Sequence, residues 1–180
     1  MTFVRRAALI AAAVVLLADA LSSAATPNVL QRKLFNLSLG ESLWRVRRAY
    51  PGAASCPATS ELSGRIRRVR LAASCAKSLP PHVRYLWLGF EGKRLAELQA
   101  VYDAEFTRKK SADGLADDFA LIYGLPRQSQ GKFWWADGKT VLRVFEAELD
   151  TKSKPSAGAA GFDAVRLRTS VQIMDVGLFK

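Results

Sequence analysis

Histidine is nearly absent from this 180-residue chain: His82 stands alone, and cysteine and methionine occur only twice each. Zinc needs three or four ligands, and one histidine with two cysteines that read as joined to each other leaves no such site, so no metal or cofactor is expected. No serine sits in a G-x-S-x-G nucleophile turn, and no Gly-rich phosphate loop occurs. His82 follows Pro80-Pro81 and reads as a solvated loop residue, not a catalytic base. Long apolar runs are missing too. The longest, Ala7 to Leu17, has eleven residues and ends near Asp19, short of the roughly 17 to 25 that span a membrane.

That run follows a basic start at Arg5-Arg6 and precedes two small-residue cleavage patterns, Ala18-Asp19-Ala20 and Ser23-Ala24-Ala25. The order is that of a secretory signal peptide over residues 1–25, leaving 26–180 as one exported domain, periplasmic or secreted. Arg5-Arg6 lacks the flanking residues of a twin-arginine signal, which favours ordinary unfolded export. No cysteine follows the run to accept a lipid anchor. In an oxidising compartment Cys56 and Cys75 read as a disulfide; they lack the C-x-x-C spacing of a redox pair.

Periodicity predicts two helices. Leu43, Val46 and Tyr50 fall on one helical face, with Ser42 as cap and Pro51-Gly52 as stop. Leu115, Phe119 and Ile122 do the same after Ser111, with Asp113, Asp117 and Asp118 near the favourable end of the dipole and Gly124 and Pro126 beyond. Strands are expected at 64–73, 83–90, 93–102, 132–136, 139–149 and about 165–173, with a Gly/Ser/Pro/Ala-rich loop over 151–161. A tight hairpin at Glu91-Gly92 would pair Trp87 with Ala96 and Tyr85 with Leu98. It would place Val83, Tyr85, Trp87, Ala96, Leu98 and Ala100 on one helix-facing surface. In the last strand Val165, Leu167, Val171 and Ile173 alternate inward against Arg166, Arg168, Ser170 and Gln172 outward. The fold class is therefore α+β, two helices on antiparallel sheet of about six strands, either as one sheet or as tandem α-β-β-β halves over 36–103 and 108–180.

Leu39-Gly40-Glu41-Ser42, followed by Val46 and by Tyr50-Pro51-Gly52, resembles the opening of small exported α+β units found in the beta-lactamase inhibitor protein family and in small outer-membrane assembly lipoproteins. The resemblance implies binding to a protein without catalysis. The chain departs from the lipoproteins in lacking their lipidation cysteine.

Charge is the global property that points to a partner. After removal of residues 1–25 the chain holds 25 basic and 15 acidic residues, and the excess lies mainly before Asp103. Arg45, Arg47 and Arg48 on a helix and Arg65, Arg67, Arg68 and Arg70 on a strand could form one positive surface for an anionic envelope component. The same arginines also satisfy the plain need of an outer face to stay soluble. Only one of Trp134 and Trp135 can face the core, which leaves the other for a second layer or a binding surface. Three functions stay open: an exported non-enzymatic protein that binds an envelope macromolecule through its basic surface, a protein inhibitor or chaperone-like module, and a hydrolase with paired carboxylates. For the third, Glu97 and Glu146 are the strand-borne acids, both expected to point outward. Export makes nucleic acid an unlikely partner.

Overall fold

Short turns and side-chain caps set where each element begins. The computed structural model describes residues 29–51, 53, 56, 62–63, 66–76, 78–149 and 167–179. The expected signal peptide, Arg65, the 151–161 loop and the Val165-Arg166 start of the last strand lie outside them. Among the described residues no helix is long and apolar enough to cross a membrane.

The chain opens with a small hairpin, β1 (Lys33–Leu34) and β2 (Leu37–Ser38), turned by Phe35 at φ 56°. Helix α1 (Leu43–Ala49) starts where the Ser42 hydroxyl accepts the Arg45 N–H at 3.3 Å, and it buries Val46. Tyr50 ends it, fully buried, with its hydroxyl donating to Asn36 Oδ1 at 2.6 Å. Then come β3 (Leu62–Ser63), β4 (Ile66–Ala72), β5 (Val83–Glu91) and β6 (Arg94–Tyr102). A disulfide joins Cys56 to Cys75, with Cα atoms 5.2 Å apart.

Two helices follow, α2 (Ala104–Lys109) and α3 (Ala112–Tyr123). Asp103 caps α2 by accepting the Phe106 N–H at 2.7 Å, and Ser111 caps α3 by accepting from Gly114 at 3.2 Å. Gly124, at φ 81°, closes α3 in a conformation that favours glycine. The remaining strands are β7 (Arg127–Ser129), β8 (Lys132–Ala136), β9 (Thr140–Glu148) and β10 (Leu167–Asp175), before a final 3-10 turn at Val176–Phe179.

Eight of these strands form one antiparallel sheet in the order β3-β4-β5-β6-β10-β9-β8-β7. The fold is α+β, as expected, with three helices and with short edge strands, β3 and β7, flanking six long ones. Strands β6 and β10, the last of each run, meet at the centre. Helix α2 escapes the periodicity because none of its six residues is buried. Its hold on the body is local: Phe106 stacks on Tyr102 at 4.0 Å, and Thr107 Oγ1 accepts the backbone N–H of Thr169 at 3.1 Å.

The helices cover one face. Leu71, Leu86, Ala100, Val171 and Val144 form one transverse line of that face, and Leu88, Leu98, Ile173, Leu142 and Trp135 the next; all are buried. Helix α3 meets it through Ala112, Leu115, Ala116, Phe119 and Tyr123, whereas Ile122 is 58% exposed and not part of the contact stripe. The two alanines are small enough to let the helix settle against Trp135, whose indole donates to Gly124 O at 2.7 Å. Asp137, in the β8–β9 turn, accepts backbone N–H groups from Lys139 and Thr140 at 2.7 Å and from Leu30 at 2.9 Å, pinning the N-terminal segment to the sheet.

The β5–β6 hairpin departs from the expected register. Glu91 pairs with Arg94 around a Gly92-Lys93 turn, and the pairing slips at Gly89/Phe90, where Ala96 is the extra residue. Because side chains alternate with period two, one extra residue reverses every facing beyond it. Trp87 therefore pairs with Gln99, not Ala96, and Tyr85 with Val101, not Leu98. Tyr85 and Trp87 leave the helix side, which takes Leu86, Leu88 and Phe90 with Leu95, Leu98 and Ala100.

Candidate binding face

Register alone arranges the side chains of the other face into transverse rows. The central row runs Arg70, Trp87, Gln99, Gln172, Arg143, Trp134, Arg127, each residue directly opposite the next on the neighbouring strand. Seven strands at ~4.8 Å spacing give it a length of roughly 29 Å. On one side lies Ala72, Tyr85, Val101, Ser170, Phe145, Lys132; on the other Arg68, Gly89, Glu97, Met174, Val141, Ala136. Together the three rows carry five cationic side chains and one carboxylate.

The ends of the central row are cation–aromatic stacks. The Arg70 guanidinium lies over Tyr85 at 5.1 Å and Trp87 at 5.5 Å, and Arg127 over Trp134 at 5.1 Å. Lys132 sits 5.9 Å from the Phe145 ring in the adjoining row. Such stacking holds long cationic side chains in place, so less freedom remains to be lost when a partner binds. Trp87 and Trp134 are half-buried, each with part of its ring open.

The middle is a buried polar network. Glu97 is 2% exposed, contrary to the outward position expected for it. Arg68 donates to both of its oxygens, Nε to Oε2 at 2.8 Å and Nη2 to Oε1, and Gln172 Nε2 also donates to Oε1. Gln99 Nε2 donates to Ser170 Oγ at 3.0 Å, and that hydroxyl donates to Ala100 O at 2.9 Å. Burial lowers the tendency of the half-buried Arg143 to hold its proton, and the nearby Glu97 charge opposes that shift. Room for the carboxylate comes from Gly89 directly opposite: a Cβ there would stand 2.7 Å from both Glu97 Cβ and Glu97 Oε2.

The arginines singled out from the sequence do not share one surface. Arg68 and Arg70 lie on this open face, whereas Arg67 points to the helix side of β4, where it lines a cleft with Arg47. Arg45 and Arg48 lie on α1, itself packed on the helix side, with Arg48 over the exposed Trp44 at 5.6 Å. A strand alternates sides at each residue, so Arg67 and Arg68 could not point the same way. The tryptophan pair divides as expected: Trp135 enters the core and Trp134 the open face. Cys56 and Cys75 are consumed by their disulfide.

Glu97 and Glu146 lie on opposite faces of the sheet, so these two carboxylates do not converge. Asp118 pairs with Lys110 at 2.7 Å, and His82 lies 3.3 Å from Asp103 at an exposed site. Among the described residues no group of three or more His, Cys, Asp or Glu could hold a metal ion.

Tyr85, Trp87, Gln99, Arg127, Arg143 and Gln172 were not singled out from the sequence. Their alternation is visible there, but their convergence needs the strand order and the Ala96 bulge. No family model, curated protein or solved structure matches the chain. Functional inference therefore rests on the geometry of this face.

Proposed function

We propose that this is an exported, non-enzymatic binding protein that uses the two accessible ends of the sheet face opposite the helices to hold the acidic surface of a partner protein. The observation that carries the reading is the Arg70–Trp87–Gln99–Gln172–Arg143–Trp134–Arg127 row. Tryptophan, tyrosine and arginine are the residues that dominate binding energy at protein interfaces, and lysine and acids are depleted there. The excess of cations over the single buried Glu97 favours an acidic partner and speeds its encounter. The resemblance of Leu39 to Gly52 to exported protein-binding units agrees with this reading, as does the disulfide with an oxidising compartment. Tandem α-β-β-β halves would account for two similar runs of strands meeting at β6 and β10.

The test is co-isolation of a partner from the native host with affinity-tagged variants. Trp87→Ala with Trp134→Ala, and separately Arg70→Glu with Arg127→Glu, should lose a partner that the parent protein retains. Arg45→Glu with Arg48→Glu should keep it. Loss confined to the α1 variants would overturn the proposal. A second reading, attachment to an anionic envelope surface through α1, is favoured by one observation: Trp44 is 66% exposed beside Arg45 and Arg48. It predicts salt-sensitive retention on phosphatidylglycerol vesicles that the α1 variants abolish and the row variants leave unchanged.

A further inference from the structure

Helix α1, seven residues long, has only two turns. Between it and β4–β5 a cleft of about 110 Å³ remains, distinct from the open face because it lies in the helix layer. Its floor is Leu88 and Phe90, both buried, with Val46 on the helix side. Leu43 and Val69 form half-buried walls. Cys56 also lines it, tied by its disulfide to Cys75 just beyond β4.

Two exposed arginines from different elements, Arg47 and Arg67, stand at this cleft, and among the described residues no carboxylate lines it. Among the described residues neither guanidinium makes a hydrogen bond or ion pair. An apolar interior with two cations at the rim complements a molecule that has one apolar end and one anionic end. Its size, below the roughly 150 Å³ of an apolar cavity that takes a benzene ring, limits the apolar end to a short alkyl chain.

We propose that the cleft between α1 and β4–β5 binds a small amphiphilic anion, its short alkyl body against Val46, Leu88 and Phe90 and its carboxylate or phosphate held by Arg47 and Arg67. The shared chemistry is an anionic head on an apolar body, and the two head groups are separated by the choice of probe.

Protein-observed methyl NMR with hexanoate, hexyl phosphate and hexanol tests it. Hexanoate or hexyl phosphate should give saturable shifts at the methyls of Val46, Val69 and Leu88, and the tighter of the two identifies the preferred head. Replacing both arginines, Arg47→Ala with Arg67→Ala, should weaken the anions at least tenfold and bring them to the affinity of hexanol. Filling the cleft by Val69→Phe should abolish all three; Leu43→Phe does the same from the helix side if the first variant fails to fold. Trp134→Ala on the other face should change nothing here. The proposal is overturned if neither anion gives saturable shifts at these methyls, or if the folded double-arginine variant keeps the parent affinity for them.

Discussion

Glu97 shows how one residue can bind a surface together at some cost. A carboxylate 2% exposed in the third row is tolerable because Arg68 and Gln172 satisfy it and Gly89 leaves it space. Removing Arg68 would strand that charge. Arg68→Ala should lower stability by about 3 kcal/mol in urea denaturation, with part of the loss recovered when Glu97→Gln is added, as expected for a directly coupled pair. Additive losses would show that the two side chains act independently. Tyr50 makes a second residue-level prediction. Burial pushes its hydroxyl up to about 12, so the folded state keeps a proton that the unfolded chain releases near pH 10. Stability from this group is therefore complete below about pH 10 and lost progressively as the pH rises toward 12. Burial raises Tyr102 in the same direction. Denaturation midpoints followed across that range should fall steeply for the parent protein and less steeply for Tyr50→Phe, which cannot ionise. Identical slopes would contradict the assignment.

At the scale of elements, the bulge at Ala96 decides which residues β6 presents to each layer. Upstream of it Leu95 faces the helices, and downstream Leu98 and Ala100 do, so Glu97, Gln99 and Val101 reach the open face. Deleting Ala96 should force a choice between losing the Gly92-Lys93 turn and turning Glu97 and Gln99 into the core. Circular dichroism and thermal melting of the deletion variant should show no cooperative transition, whereas Ala96→Ser should melt as a folded protein. A cooperative melt of the deletion variant near the parent temperature would show that the bulge is dispensable. Helix caps were the most legible features, because each depends on a few neighbouring residues, whereas the β5–β6 turn falls one residue later than expected. Ser42 and Ser111 both cap their helices, and the β8–β9 turn falls between the strands expected at 132–136 and 139–149. The bulge was not legible, since nothing in Gly89 to Ala96 marks it until the two strands are paired. Helix α2 was hidden for another reason: it buries no residue and so has no apolar stripe to detect.

For the whole molecule, the sequence showed alternation, with an inward side, in the fourth and last strands, but not the order in which the strands lie side by side. Arg68 and Arg70 against Val69 and Leu71, or Ser170 and Gln172 against Val171 and Ile173, read as solvent against core. In the structure β10 is a central strand, so its polar residues are buried among their neighbours on the face opposite the helices instead of meeting bulk water. Strand order is a long-range property, and it turns a set of ordinary outward positions into the row from Arg70 to Arg127. It also divides the seven arginines: Arg68 and Arg70 join the aromatic face, while Arg45, Arg47, Arg48 and Arg67 belong to the helix side and Arg65 is outside the described residues. The most direct measurement is site-specific photo-crosslinking in the native host, with benzoylphenylalanine placed in turn at Tyr85, Phe145 and Trp44, followed by mass spectrometry of the adducts. The open face predicts one common partner captured from Tyr85 and Phe145 and not from Trp44; capture from Trp44 alone would contradict it.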